Sequence, residues 1–229
     1  GTGNRVMTSP DGITWTIRTS ANNNQWKSVC WSPELRLFCA VTDTGFSDSV
    51  MTSPNGITWT TRTPSLNSGA WTAVCWSPEL SLFCAIAYNF NSGNRVMTSP
   101  NGITWTTRAS AADNSWQSVC WSSELKLFSA VANSGTSNRV MTSPDGITWT
   151  TRSTSGIDNS WNSICWSPEL GIFTAVSSTG TGNRVMTSVN MYTNNPTTTI
   201  SGILAPANIN NTLYPTNANL SLSYYKDVS

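Results

Sequence analysis

Cys30, Cys75, Cys120 and Cys165 each stand directly before a tryptophan and recur every 45 residues. Thiols placed so regularly suggest either cross-links or metal ligation. Cys39 and Cys84 fall where they would face Cys30 and Cys75 across a hairpin. The third and fourth copies, however, carry Ser129 and Thr174 at that second place, and a site that accepts Ser or Thr does not depend on a bridge. Free, buried thiols are therefore the expectation. With no Cys-x-x-Cys pair and no histidine, the sequence contains no metal-site spacing, and no cofactor is expected.

Carboxylates and arginines follow the same rule. Glu34, Glu79, Glu124 and Glu169 occupy one repeated position. Arg5, Arg95, Arg139 and Arg184 form a second set, and Arg18, Arg62, Arg108 and Arg152 a third. Acid–base catalysis needs unlike groups converging on one point, whereas repeat-equivalent residues point the same way in every unit. Without histidine, a base at neutral pH would require a strongly shifted carboxylate or lysine. No catalytic residue is expected. Asp11 and Asp145 have the chemistry of cation ligands, but Asn55 and Asn101 take their place in the other copies. A side chain that bonds its own turn amides accounts for both residue types.

The elements that would hold these residues are visible as repeats. VMTSPDGITWT at 6–16 returns, with Asp or Asn, at 50–60, 96–106 and 140–150. Between the copies lies a second unit, WKSVCWSPELRLFCAV at 26–41 and its equivalents at 71–86, 116–131 and 161–176. Each repeat predicts two hairpins, one turning at Ser-Pro-Glu-Leu and one at Ser-Pro-Asp/Asn-Gly, where proline presets φ and glycine tolerates a positive φ. Strand A is predicted at 26–32, B at 36–42, C at 4–9 and D at 13–19. Strict alternation puts Trp26 and Cys30 on one face of strand A, with Val29 and Trp31 on the other. Both faces are apolar, so each sheet must be sandwiched between neighbours.

Stacked four-stranded antiparallel blades with a period near 45 make this an all-β chain, a β-propeller of four or five blades or part of a larger one. Residues 1–188 hold the repeats, and a divergent tail at 189–229 completes a blade or contacts a partner. A four-bladed ring would join the N-terminal C–D hairpin to the last A–B hairpin and leave the fifth C strand, 183–188, unused. The chain opens inside a repeat, which points to missing upstream sequence.

At Ser9, Asp11, Gly12, Thr14 and Trp15, and again at Ser143, Asp145, Gly146, Thr148 and Trp149, the chain resembles the Asp-box, or BNR, repeat of sialidase-like propellers. One residue between Asp and Gly is missing from that motif here. The resemblance implies a propeller with the box at the C–D turn, and the box is a folding element in that family. The three converging arginines and the Tyr–Glu pair of a sialidase have no counterparts. The repeat is also similar to arrays in hypothetical proteins of large DNA viruses and phages. Trp15, Trp59, Trp105 and Trp149, one per copy, are expected to be core residues rather than sugar-stacking platforms.

Only 10% of residues are charged and the formal net charge is +1, which excludes the basic surface of a nucleic-acid binder. No apolar run is long enough to insert in a membrane. The Ser/Thr/Asn-rich, Lys-poor composition fits an extracellular or virion-surface setting. What varies between copies is the D–A and B–C connections, which share one face of a propeller. They hold Asn22, Asn24, Asp43, Tyr88, Asn89, Phe90, Asp113, Asn114, Asp158 and Asn159, residues suited to hydrogen-bonding and stacking with a ligand. The expected function is a non-enzymatic binding or assembly module for a glycan or protein, lectin-like, with self-association through the tail. The alternative is a purely structural shell, fibre or appendage subunit.

Overall fold

The computed structural model describes residues 3–44, 48–64, 70–89, 93–154 and 156–190. A hairpin comes first, β1 (Val6–Thr8) and β2 (Thr16–Arg18). Three four-stranded antiparallel sheets follow. The first blade is β3 (Trp26–Ser32), β4 (Leu37–Thr42), β5 (Val50–Ser53) and β6 (Thr60–Arg62). The second is β7 (Ala70–Ser77), β8 (Leu82–Asn89), β9 (Val96–Ser99) and β10 (Thr106–Arg108). The third is β11 (Trp116–Ser122), β12 (Leu127–Ala132), β13 (Val140–Ser143) and β14 (Thr150–Arg152). The last sheet has three strands, β15 (Trp161–Ser167), β16 (Ile172–Ser177) and β17 (Val185–Thr187). Each blade thus takes its A and B strands from one repeat and its C and D strands from the next. The D strands are shorter than expected. Ile13 and Thr14 belong to the turn, because their amides are held by Asp11.

One expectation about the inner strands is overturned. In β7, Trp71 pairs with Ala87 but Ala73 pairs with Ile86, so Thr72 is an additional, bulged residue. The same shift follows the first tryptophan of β3, β11 and β15. A bulge reverses the alternation beyond it. Trp71 therefore packs on the same side as Val74 and Trp76, against Cys39, Val41 and Val50 of the blade before. Ala73 and Cys75 face the other way, towards Trp116, Val119 and Phe128 of the blade after. By the same shift, the first tryptophan of strand A goes with the Val29 and Trp31 positions and not with Cys30.

The core consequently lies between blades. Phe83 sits with Trp76 at 4.5 Å and Trp105 at 6.3 Å between ring centres, and Phe128 repeats the arrangement with Trp121 and Trp149 at 4.5 and 6.2 Å. Burying each such ring contributes about 1.5–3 kcal/mol. Polar links recur at the same places. Trp76 Nε1 donates to Glu34 at 2.7 Å, Trp121 Nε1 to Glu79 at 2.6 Å and Trp166 Nε1 to Glu124 at 2.6 Å. The Val74 amide donates to Ser28 Oγ and the Ile164 amide to Ser118 Oγ, both at 3.2 Å.

β3 packs on β7, β7 on β11 and β11 on β15, while β15 does not return to pack on β3. The blades form an open arc of a β-propeller. Closure by β1 on the last A–B hairpin is not what the chain adopts. That edge is taken by β17, with Val176 opposite Val185, Ala175 opposite Met186 and Thr174 opposite Thr187.

Candidate functional site

The C–D turns are built alike in every copy. Ser9, Ser53, Ser99 and Ser143 each accept the following glycine amide at 2.8 Å. Asp11 Oδ1 accepts the amides of Ile13 and Thr14 at 2.8 Å, and Asp145 those of Ile147 and Thr148 at 2.8 and 2.7 Å. Asn55 and Asn101 make the same two bonds at 2.8–2.9 Å. The box indoles each donate back to the turn glycine carbonyl at 3.0–3.2 Å. These side chains are occupied in shaping the turn.

The Thr14 and Ile13 amides, then the Ser9 hydroxyl, pull the Asp11 carboxyl down to about 2. At Asp145 partial burial pushes upward, but the Thr148 and Ile147 amides and Ser143 outweigh it and the net shift is downward. A depressed carboxylate stabilises the fold above its ordinary value of 3.8 and loses that contribution as pH falls through the lowered one. Replacing both Asp11 and Asp145 with Asn should leave the melting temperature at pH 7 nearly unchanged, since Asn55 and Asn101 already serve. It should also blunt the loss of stability between about pH 4 and pH 2, where these carboxyls protonate. Thermal melts at both pH values check this, and an undiminished acid loss in the double variant would refute it.

Trp105 and Trp149 are buried as expected, and Trp59 is half-buried. Trp15 is not a core residue, being 53% exposed. Its hairpin has no strand B beside it, so the phenylalanine that Trp59, Trp105 and Trp149 each approach is missing.

The D-strand arginines each bond within their own hairpin. Arg18, Arg62, Arg108 and Arg152 donate through Nε to Thr8, Thr52, Thr98 and Thr142 at 2.8–3.1 Å. The six cysteines are free. Cys30 faces Cys39, and Cys75 faces Cys84, across their hairpins, as their spacing predicts. Burial pushes the Cys30 thiol up to about 12 and raises Cys39, Cys75 and Cys84 as well, which suppresses the nucleophilic thiolate. Among the described residues no cluster of three or more metal-ligating side chains occurs, and no helix is long and apolar enough to cross a membrane.

At the opposite end of the blades the D–A and B–C connections do meet. Asn24 Nδ2 donates to the Asp48 carbonyl at 2.8 Å, Asn114 to the Asn138 carbonyl at 2.8 Å and Asn159 to the Asn183 carbonyl at 2.7 Å. Asn22 reaches the same Asp48 carbonyl at 3.4 Å. Asp113 accepts the Gly93 amide, and Asp158 accepts the Ser137 amide at 2.8 Å. Asp43 pairs with Lys27 at 2.9 Å. Most of the candidate polar side chains thus clasp one loop to the next, with Asn114 and Asn159 buried. Each of the three asparagines stands 24 residues before the carbonyl that it bonds, and that constant spacing is the sequence signal of the clasp.

Tyr88 and Asn89 differ. Strand β8 runs two residues beyond β4, β12 and β16, and Asn89 pairs with Ala70 to carry the blade out past its neighbours. Tyr88 is 38% exposed and Asn89 is exposed. Arg95, counted from sequence only as a repeat residue, fixes this ledge by donating to the Tyr88 carbonyl at 2.6 Å and the Asn114 carbonyl at 3.1 Å. The Asp113 carboxylate lies 3.7 Å from Arg95 with its side chain half exposed. Phe90 lies outside the described residues.

No protein-family model and no curated protein matches this sequence. Solved structures do match in fold. The GH74 enzyme of Niastella koreensis is 18% identical with a TM-score of 0.60, over 78% of this chain and 32% of that one. Virginiamycin B lyase of Staphylococcus aureus is 7% identical with a TM-score of 0.53, over 72% and 55%. The β-propeller domain of Cps50 (Swd1) from Myceliophteria thermophila is 11% identical with a TM-score of 0.50, over 75% and 58%. The chain spans a third to about half the length of these proteins, which include enzymes and a non-enzyme, and the likeness is one of fold.

Proposed function

We propose that this protein is a non-enzymatic binding module, displayed outside a cell or on a virion, that recognises a glycan or protein through the loop face around Tyr88. The observation that carries the reading is the ledge at the end of β8. An exposed ring and an exposed amide stand there on a backbone held by Arg95. Rigid placement lowers the ordering cost of binding, and tyrosine offers an apolar face with a polar tip. The half-exposed Asp113 adds a hydrogen-bond acceptor at the same edge. The other loops, clasped by their own Asn and Asp, supply a stable frame. The tail at 189–229 belongs to this proposal as a segment for self-association, and residues 191–229 lie outside those described.

Probing the chain on an array of glycans should yield saturable binding to a restricted set. Tyr88→Ala should then weaken that binding by roughly tenfold, the cost of a tyrosine hot spot. Its melting temperature should stay nearly unchanged, because the ring is not in the core. Binding that survives Tyr88→Ala but is lost on changing Leu80 of the opposite turn face would defeat the loop assignment.

A further inference from the structure

The two ends of the blades differ in chemistry. The loop end is built from Asn, Asp and Ser, whereas the end that carries the A–B and box turns is aliphatic. Ile57, Ile103 and Ile147, each next to a box glycine, are all 48% exposed. Leu80, Leu125 and Leu170, at the third place of their A–B turns, are 37–39% exposed. Ile103 and Leu80 belong to the second blade, which is packed on both sides, so the exposure is a property of the repeat.

The turns do not need these side chains. What Asn101 holds at Ile103 is the amide, at 2.9 Å. Ser77 and Ser122 likewise hold the amides of Leu80 and Leu125, at 3.2 and 3.0 Å. A polar residue would serve those bonds equally and meet solvent at less cost. Aliphatic groups exposed together without a local role mark an interaction surface.

The aliphatic positions form one field. Each box turn seats against the A–B hairpin of the blade before it. A Cβ on Gly102 would lie 3.1 Å from Leu37, and one on Gly146 would lie 3.1 Å from Leu82. The turns at 33–36, 54–57, 78–81, 100–103, 123–126, 144–147 and 168–171 therefore follow one another around the arc. Seven turns of four residues supply the roughly 20–30 residues that each side of a standard protein interface contributes.

Two features select the occupant. The aliphatic pair recurs from blade to blade, so whatever covers the face must repeat at the same angle, as a second copy of this chain does. Charge then sets the register. The last residue of the A–B turn is Arg36, Ser81, Lys126 and Gly171 in successive sheets, and each turn also holds one glutamate. Arg36 and Lys126 are exposed and, among the described residues, make no ion pair. A two-fold axis lying in the face between the second and third blades sets the second blade of one copy on the third of the other, and the first on the last sheet. Arg36 then meets the turn of Gly171 and Glu169, and Lys126 meets the turn of Ser81 and Glu79. Each turn that bears a base is set against one whose only charge is a carboxylate. At the boxes, Asp145 meets the uncharged Asn101.

We propose that two copies of this chain pair turn face to turn face about this axis, with the loop end of each copy left outward. Such a contact uses the same patch on both copies and closes at two.

Sedimentation equilibrium of the 229-residue chain should show a species of 24.8 kDa and one of twice that mass. Ile103→Asp together with Leu125→Asp should raise the dissociation constant of the pair at least tenfold. The melting temperature of the dilute chain should stay unchanged, as it does for surface substitutions. Tyr88→Ala should leave the pairing intact, and pairing lost there would move the contact to the loop end and overturn the proposal. For the register, Ser81→Cys and Lys126→Cys are combined in a Cys165→Ser background, and isotopically light and heavy chains are mixed and mildly oxidised. The expected product is a disulfide joining position 81 of a light chain to position 126 of a heavy one. A single-copy mass at every concentration, a pair that survives the double aspartate variant, or links confined to one chain would overturn the proposal. So would a chain that stays single but co-sediments with phosphatidylcholine vesicles until Ile103 and Leu125 are replaced, since the face would then meet lipid.

Discussion

Trp105→Ala is expected to destabilise the chain by about 3–5 kcal/mol, the cost of truncating a large buried aromatic. The indole is 3% exposed, lies 6.3 Å from the Phe83 ring and belongs to the core between the first and second blades. Its Nε1 also holds the turn at the Gly102 carbonyl, at 3.1 Å. Removing it empties the core and loosens the turn together. Trp15→Ala removes the same residue from the same motif, yet in the single chain it should cost no more than about 1 kcal/mol, as surface substitutions do. Denaturant titrations of the two variants in dilute solution make the comparison. Equal losses would mean that the motif, and not its neighbours, sets the energy.

Gly102→Val is the second large effect, expected at about 2–5 kcal/mol. Two costs combine. The backbone at Gly102 has a φ of +71°, a conformation that disfavours a β-branched residue by about 1–2 kcal/mol. The new Cβ would also lie 3.1 Å from Leu37 and 3.3 Å from Thr52 of the preceding blade, and overpacking of this kind costs about 1–3 kcal/mol. Gly12→Val isolates the first cost, since Gly12 has a φ of +75° and open space around it. It should lose only about 1–2 kcal/mol. Matching losses in the two variants would show that the seat between blades contributes nothing.

Much of this fold was legible because the sequence repeats it. The 45-residue period, the Pro and Gly turns and the apolar character of both strand faces were enough for four-stranded blades in an A–B, C–D order. Alternation failed at Thr72 and its equivalents, since a bulge leaves no mark in residue type and one additional residue turns Trp71 to the other side. Trp15 was misplaced for a different reason. Over residues 6–16 its local sequence differs from that around Trp105 only in Asp11 for Asn101, and the missing strand B beside it makes it exposed. Of the loop residues, Asn24, Asn114 and Asn159 were legible as hydrogen-bonders but not as clasps between loops, because a backbone carbonyl 24 residues away leaves no mark in the residue type of the partner. Tyr88 stood out in sequence as an aromatic in a polar loop, and the structure adds the strand extension and Arg95 that hold it.

Equivalent segments differ in burial according to whether a neighbouring strand or blade covers them, as Trp15 at 53% and Trp105 at 3% exposure do. Strand-resolved hydrogen exchange in dilute solution tests this most directly. At concentrations where the native mass is that of one chain, amides of Val6–Thr8 and Thr16–Arg18 should exchange far faster than those of Val96–Ser99 and Thr106–Arg108. Protection of β1 and β2 equal to that of β9 and β10 in the fully dissociated chain would contradict the open arc.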